Sequence, residues 1–223
     1  MKLNLTDTYT SPTFDKLKTE KQAQIRETAM REFATHSYED ASINRIVKAL
    51  GIAKGSIFQY FGDKKSLYLY LVDYAARHKK AFSEETRSRQ SEDFWAWLQE
   101  CFLQGLVFDM RYPQYTGLLH RFSEEKAVPE AGMLLDGHEE AAFEFFHERL
   151  QHTYGKEKPA AQLEMTAFMI VQSGRSLLKY VARRYDIDYD KKIRNGQPVI
   201  GLDEQELKLL AGQVVHSLRY GMQ

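Results

Sequence analysis

The sequence predicts an all-α fold: an amino-terminal three-helix domain over residues 1–62, then a larger helical domain over residues 63–223. Three observations predict it. Apolar residues recur at i, i+3, i+4 and i+7 along most of the chain, the spacing of a helix face. No stretch of useful length alternates with the period of a strand, and no internal repeat appears. Proline occurs only 5 times in 223 residues and is rare inside the periodic segments. A hydrophobic fraction of 43% is enough for a packed core.

Residues 1–12 are polar and read as a mobile arm. A helix is expected from Thr13 or Thr19 to His36, with Ile25, Ala29 and Phe33 on one face. Tyr38 falls in a short connection. Ser42 suits the N-cap of the next helix, where Ile43, Ile46, Val47 and Leu50 form an amphipathic stripe. Gly51 stops that helix where a left-handed residue is wanted. Ile52 can dip into the core, and a second short helix is expected over Lys54–Phe61. Gly62 ends it, and Asp63 caps a longer helix carrying Leu67, Leu71 and Ala75. Further helices are expected at 94–110, 114–122, 132–154, 160–184 and 203–219, with 186–201 as a polar connection. Asp203 and Glu206 have the spacing of a capping box.

The charges sum to zero but are unevenly spread. Residues 1–80 carry 14 Lys and Arg against 9 Asp and Glu, and the rest carries 17 against 22. A basic end on an acidic body suits a polyanionic partner at that end. Cys101 is the only cysteine, so no intrachain disulfide can form and a reducing cytoplasm fits. Its apolar neighbours Phe102, Leu103 and Leu106 argue for a buried, inert thiol. The first dozen residues lack the apolar core of a signal peptide, and no apolar run approaches the roughly 18 residues of a membrane span.

The pair of short helices about Gly51 carries the functional signal. At 100° per residue, Ile57, Phe58 and Phe61 gather on one side of the second helix and Gly55, Ser56, Gln59 and Tyr60 on the other. The apolar side must pack on the preceding helices, which turns the polar side outward. That is how a helix-turn-helix offers side chains to the DNA major groove. Gln can bond adenine edges, Ser can bond bases or phosphate, and Gly55 permits close backbone approach. Lys54 can reach either target, Tyr60 and Lys64 suit phosphates, and Ser42, Asn44 and Arg45 open the supporting helix where they can clamp the backbone. Lys16, Lys18 and Lys21 read as plain surface charge.

Residues 20–75 resemble the amino-terminal domain of the TetR/AcrR family of transcriptional regulators. The resemblance lies in Ile25, Ala29, Phe33, Ala34, Tyr38, Ser42, Ile46, Val47 and the run Leu50–Phe61, followed by Lys64 and Leu67. It implies DNA contacts at Lys54, Gly55, Ser56, Gln59, Tyr60 and Lys64, with Ser42, Asn44 and Arg45 on the phosphate backbone. Two departures stand out. Ala53 occupies a position where a capping Ser or Thr is frequent in the family. Gln59 occupies one where His is frequent, so the bound sequence does not transfer from relatives.

The resemblance further implies a homodimer that binds a palindromic operator, represses transcription and is released by a small apolar or amphipathic effector. Dimerisation is expected through the helices at 160–184 and 203–220. Leu163, Ala167, Val171, Gly174 and Leu178 form one candidate seam, and Leu207, Leu210, Val214 and Leu218 the other; Gly174, Ala211 and Gly212 allow close approach. The aromatic stretch 94–169 supplies candidate effector contacts at Phe102, Leu106, Tyr115, Leu119, Phe122, Phe146, Phe168 and Met169. Gln172 and Arg175 are the candidate polar handles.

No catalytic constellation competes. His147 and His152 lie five apart, one too many for the zinc-binding pair of an H-E-x-x-H helix. Asp186, Asp188 and Asp190 alternate like a calcium loop, but Lys191 stands where Gly is needed and Gln197 where Glu is needed. There is no phosphate-binding glycine loop and no G-x-S-x-G. No cofactor, metal or membrane partner is expected. The alternative to a regulator is a helical small-molecule-binding protein or enzyme that uses the same fold without DNA.

Overall fold

The computed structural model describes residues 9–86, 93–124, 127–195, 197–198 and 200–220. Regular structure among them is helical throughout. Residues 1–8 of the expected arm lie outside the described residues. Its last residues, read from the sequence as mobile, are instead held. The Ser11 amide donates to the Tyr60 carbonyl at 2.8 Å. The Ser11 hydroxyl accepts from the Phe14 amide and caps α1 (Pro12–Asp15). Phe14 is buried, its ring 4.7 Å from Phe61 and 5.6 Å from Tyr70. Of the two expected starts of the first long helix, Thr19 is the one found: α1 is separate from α2 (Thr19–Thr35), and Gln22 bridges the break by donating to the carbonyls of Phe14, Asp15 and Leu17.

Ile25, Ala29 and Phe33 are buried along α2, as their spacing predicts. Ser42 caps α3 (Ile43–Leu50) by accepting from the Arg45 amide, and Gly51 ends it at φ 63°. L side chains resist that left-handed conformation, and glycine does not. α4 (Lys54–Phe61) starts at Ala53 with no side-chain cap and ends at Gly62, φ 78°. α5 (Lys64–Thr86) opens on Asp63, whose carboxylate accepts from the Ser66 amide at 2.7 Å. That backbone hydrogen bond holds the Asp63 carboxyl below its ordinary range.

Packing divides the chain into two compact units that do not follow a cut at residue 62. The first gathers residues 1–78, 112–134 and 189–197; the second gathers 79–111, 135–188 and 198–223. The first turns of α5 belong to the first unit because Leu67 to Val72 are buried all round the helix, beyond the Leu67, Leu71 and Ala75 stripe. α7 (Pro113–Glu124) and α10 (Tyr189–Arg194) close over α2 in the same unit. Arg121 donates from Nε to the Ala34 carbonyl at 2.8 Å, satisfying the end of α2. A Cβ on Gly117 would collide with Ile193 Cδ1 and lie 3.3 Å from the Ala34 Cβ, so α7 and α10 meet at a glycine. α10 lies inside the stretch read as a polar connection; six residues are too few to show a helical period.

The second unit is built from α6 (Phe94–Arg111), α8 (Pro129–Tyr154) from residue 135, α9 (Ala160–Arg184) and α11 (Glu204–Tyr220). Asp203 and Glu206 form the expected reciprocal capping box, each bond 2.9 Å. Leu98, Leu163, Ala167, Ile170, Leu207 and Ala211 form the centre of its core. Each such Leu or Ile stabilises the fold by about 1.5–3 kcal/mol on burial. Among the described residues, no helix is long and apolar enough to cross a membrane.

Candidate nucleic-acid interface and effector cavity

α3, Gly51 and α4 form the helix-turn-helix, and the core decides which face of α4 looks outward. Ile57 and Phe61 are buried beneath it. Lys54, Gly55, Phe58 and Gln59 are exposed, while Ser56 and Tyr60 are half-buried on its flank. One residue differs from the sequence reading. Phe58, assigned there to the packed side, is 40% exposed, with the Lys54 ammonium 5.9 Å from its ring centroid. At 40° from Lys54 on the helical wheel it sits with the outward set, which a simple apolar/polar division missed. A Cβ built on Gly55 meets nothing within 4 Å, so nothing inside the chain requires glycine there. Tyr60 leans on Phe14, ring centroids 5.9 Å apart.

The supporting residues divide into those that face solvent and those already engaged. Asn44 is exposed at the start of α3. The Ser42 amide donates to Glu32 at 2.8 Å, and Arg45 donates to the same carboxylate from Nε at 2.8 Å and to the Asp40 carbonyl at 2.7 Å. The hydrogen bond to Glu32 raises the Arg45 guanidinium further above its ordinary range. Glu32 thus ties the last turn of α2 to the start of α3, a role that its place in the sequence does not advertise. Lys64 donates to the Glu39 carbonyl at 3.1 Å and lies 4.8 Å from the centre of the Tyr38 ring. Burial lowers its ammonium below the usual lysine range. Arg45 and Lys64 therefore fix the corners of the motif, with their charge left beside its outer face.

The candidate effector residues do not converge on one place. Phe102, Leu106 and Phe146 line a cavity of about 250 Å³ within the second unit. Tyr115, Leu119 and Phe122 belong to the first unit. Phe122 packs 6.1 Å from Tyr68, and Tyr115 joins a cluster with His78, Tyr112 and Tyr74, its phenol pushed up to about 12 by burial. Phe168 and Met169 are exposed. Gln172 is half-buried outside the cavity wall, and Arg175 pairs with Glu139. The spacing of aromatic residues alone did not separate two cores. The cavity's polar groups, Lys79 and Asp109, were not anticipated, because they stand thirty residues apart on different helices.

The expected seams are also redistributed. Leu163, Ala167, Leu207, Leu210 and Leu218 are buried in the chain's own core. The outer faces of α9 and α11 instead expose Met165, Phe168, Tyr180 and Leu209, and a groove there is lined by Ser173, Ser176, Tyr180, Leu209 and Gly212. Among the described residues, no group of three or more His, Cys, Asp or Glu side chains is placed to hold a metal ion.

Comparison with known proteins points the same way. Residues 25–71 match the family model of bacterial regulatory proteins, tetR family. The HTH-type transcriptional repressor AcnR of Corynebacterium glutamicum is 43% identical over 67 residues, 30% of this chain and 36% of that protein. Its namesake in Corynebacterium efficiens is 45% identical over 62 residues, 27% and 33%. The likeness thus spans about a third of the length of these curated relatives. A TetR family transcriptional regulator from Chloroflexus aurantiacus superposes with a TM-score of 0.73 at 26% identity, covering 96% of this chain and 98% of its own. A TetR-like regulator from Rhodococcus sp. RHA1 shares the fold at a TM-score of 0.66 and 12% identity, covering 92% and 98%.

Proposed function

We propose, from the match of residues 25–71 to the family model of bacterial regulatory proteins, tetR family, and from the likeness of the fold to that of TetR family regulators, that the chain is a ligand-responsive transcriptional repressor of this family. It binds a palindromic operator as a homodimer in the cytoplasm and leaves it when a small effector fills the cavity of the second unit. The observation that carries this reading is the outward face of α4, Lys54, Gly55, Phe58 and Gln59 over a buried Ile57 and Phe61. In the major groove, Gln59 can make a bidentate pair with adenine N6 and N7, and Phe58 can meet a thymine methyl. Lys54 and the uncapped first amides of α4 suit a phosphate, as do Ser56 and Tyr60 on the flank. Ser42 and Asn44 do the same at the start of α3, while Arg45 and Lys64 add charge and hold the geometry.

Repression is the direction carried by the name of the Corynebacterium relatives. Dimerisation is supported by the exposed apolar faces of α9 and α11, where Ser173, Ser176 and Gly212 would let a second copy approach closely. A two-fold pair would read half-sites about 34–36 Å apart, or multiples of that spacing. α5 supplies Leu67 to Ala75 to the first unit and Lys79 to the second, so it is the element through which an effector would act. Only a ligand with different affinities for two positions of that helix shifts the balance.

Selection of genomic fragments by the purified protein tests the reading. Enriched fragments should share an inverted repeat, and affinity for it should fall steeply as salt rises. A flat salt response with no enriched sequence at low salt would overturn it.

A further inference from the structure

The cavity of the second unit is held open where the chain could have filled it. It lies among α5, α6, α8 and α9 and measures about 250 Å³. Phe102, Leu106, Phe146 and Leu177 wall it, and Gly105 and Gly174 belong to its lining. Both glycines sit in helix interiors, on α6 and α9, where alanine is the better helix former. Lack of space does not demand them. A Cβ at Gly105 would meet nothing within 4 Å, and one at Gly174 only the Phe102 ring, at an ordinary contact distance of 3.7 Å. A side chain at either position would steady its helix and narrow the cavity, and neither is present.

The chemistry of the lining says what suits that space. Its charged side chains are Lys79 and Asp109, opposite in sign and paired with each other at 2.6 Å. Lys79 also lies 5.6 Å from the centre of the Phe108 ring, and both residues hold further interactions besides. The other described residues of the lining carry no nitrogen or oxygen in their side chains. An ionic ligand, of either sign, would have to draw its partner out of this engaged set or enter an apolar wall unpaired. A neutral molecule leaves every one of these interactions in place and gains by leaving water. Phe102 and Phe146 favour an aromatic guest. An apolar cavity of about 150 Å³ admits benzene, so about 250 Å³ has room for a ring with a short chain. We infer that the cavity binds a small, neutral, largely apolar aromatic molecule of the alkylbenzene kind, in the space that Gly105 and Gly174 leave open. This rests on the reading of the chain as a ligand-responsive regulator and names the class of its effector.

Three probes of similar size test it on the full-length protein by calorimetric titration at neutral pH: n-propylbenzene, 2-phenylethylamine and phenylacetate. The hydrocarbon should bind at least about tenfold more tightly than either ion, with the negative heat-capacity change of apolar burial. Gly105→Leu should fill the cavity, abolish binding of the hydrocarbon and raise the melting temperature. Gly105→Ala, a smaller filler, should weaken n-propylbenzene and spare benzene. Either ion binding as tightly as the hydrocarbon, hydrocarbon binding undiminished by Gly105→Leu, or no hydrocarbon binding at all would each overturn the inference. Should Gly105→Leu fail to fold, the ranking of the probes in the unaltered protein and the size preference of Gly105→Ala still decide. DNA binding is scored separately. Operator binding without hydrocarbon binding strikes this inference alone, whereas hydrocarbon binding without any operator strikes the regulator reading.

Discussion

Gly55 has room for a methyl group that the sequence does not supply. Alanine is the better helix former by roughly 0.5–1 kcal/mol, so Gly55→Ala should raise the melting temperature. If the glycine serves close approach to DNA, the same change should weaken operator binding, and gel shift beside thermal unfolding would expose the trade. Two neighbours separate sequence reading from phosphate attraction. Gln59→Ala should cost about 1–3 kcal/mol on the preferred operator and relax selectivity at one base position. Lys54→Ala should weaken all sequences alike and flatten the salt slope by about one counterion. Binding arrays at two salt concentrations distinguish them. Phe58 joins this set only because its exposure is seen in three dimensions; as one more aromatic in an apolar run it read as core.

The short helices show which elements a sequence can declare. Ser42, Gly51, Asp63 and the Asp203–Glu206 pair act through bonds to residues two to four positions away, so their spacing reveals them, and each cap appears where its residue type places it. Distant partners leave no such trace. Glu32 meets Ser42 and Arg45 across a loop, and Lys79 meets Asp109 thirty residues on. The seams on α9 and α11 failed for a related reason. A helix with apolar residues on two faces does not say which one its own chain covers, and the more regular stripe went inward. Ala53 is the one helix start in the motif without a side-chain bond. Ala53→Ser should supply it and stabilise the protein by about 1 kcal/mol, read as a higher urea midpoint with an unchanged m-value.

At the scale of the molecule, the apolar outer faces of α9 and α11 are the surfaces proposed to pair two copies. Leu209 is 67% exposed, so Leu209→Glu leaves the chain's own core untouched. It should yield a monomer by light scattering, with secondary structure retained and operator affinity lowered because one half-site then binds alone. The first unit has a different dependence. It draws on three separated stretches, and its last contribution, Ile193, settles over Gly117 against Ala34. Ile193 lies about 160 residues beyond Ala34 in the sequence, so the first unit cannot close until that distant stretch has been made. Non-local closure of that kind is slow. A nascent chain halted at residue 80 should be digested readily by protease, and one extended past residue 197 should resist, since only then can the last stretch of the first unit settle on the others.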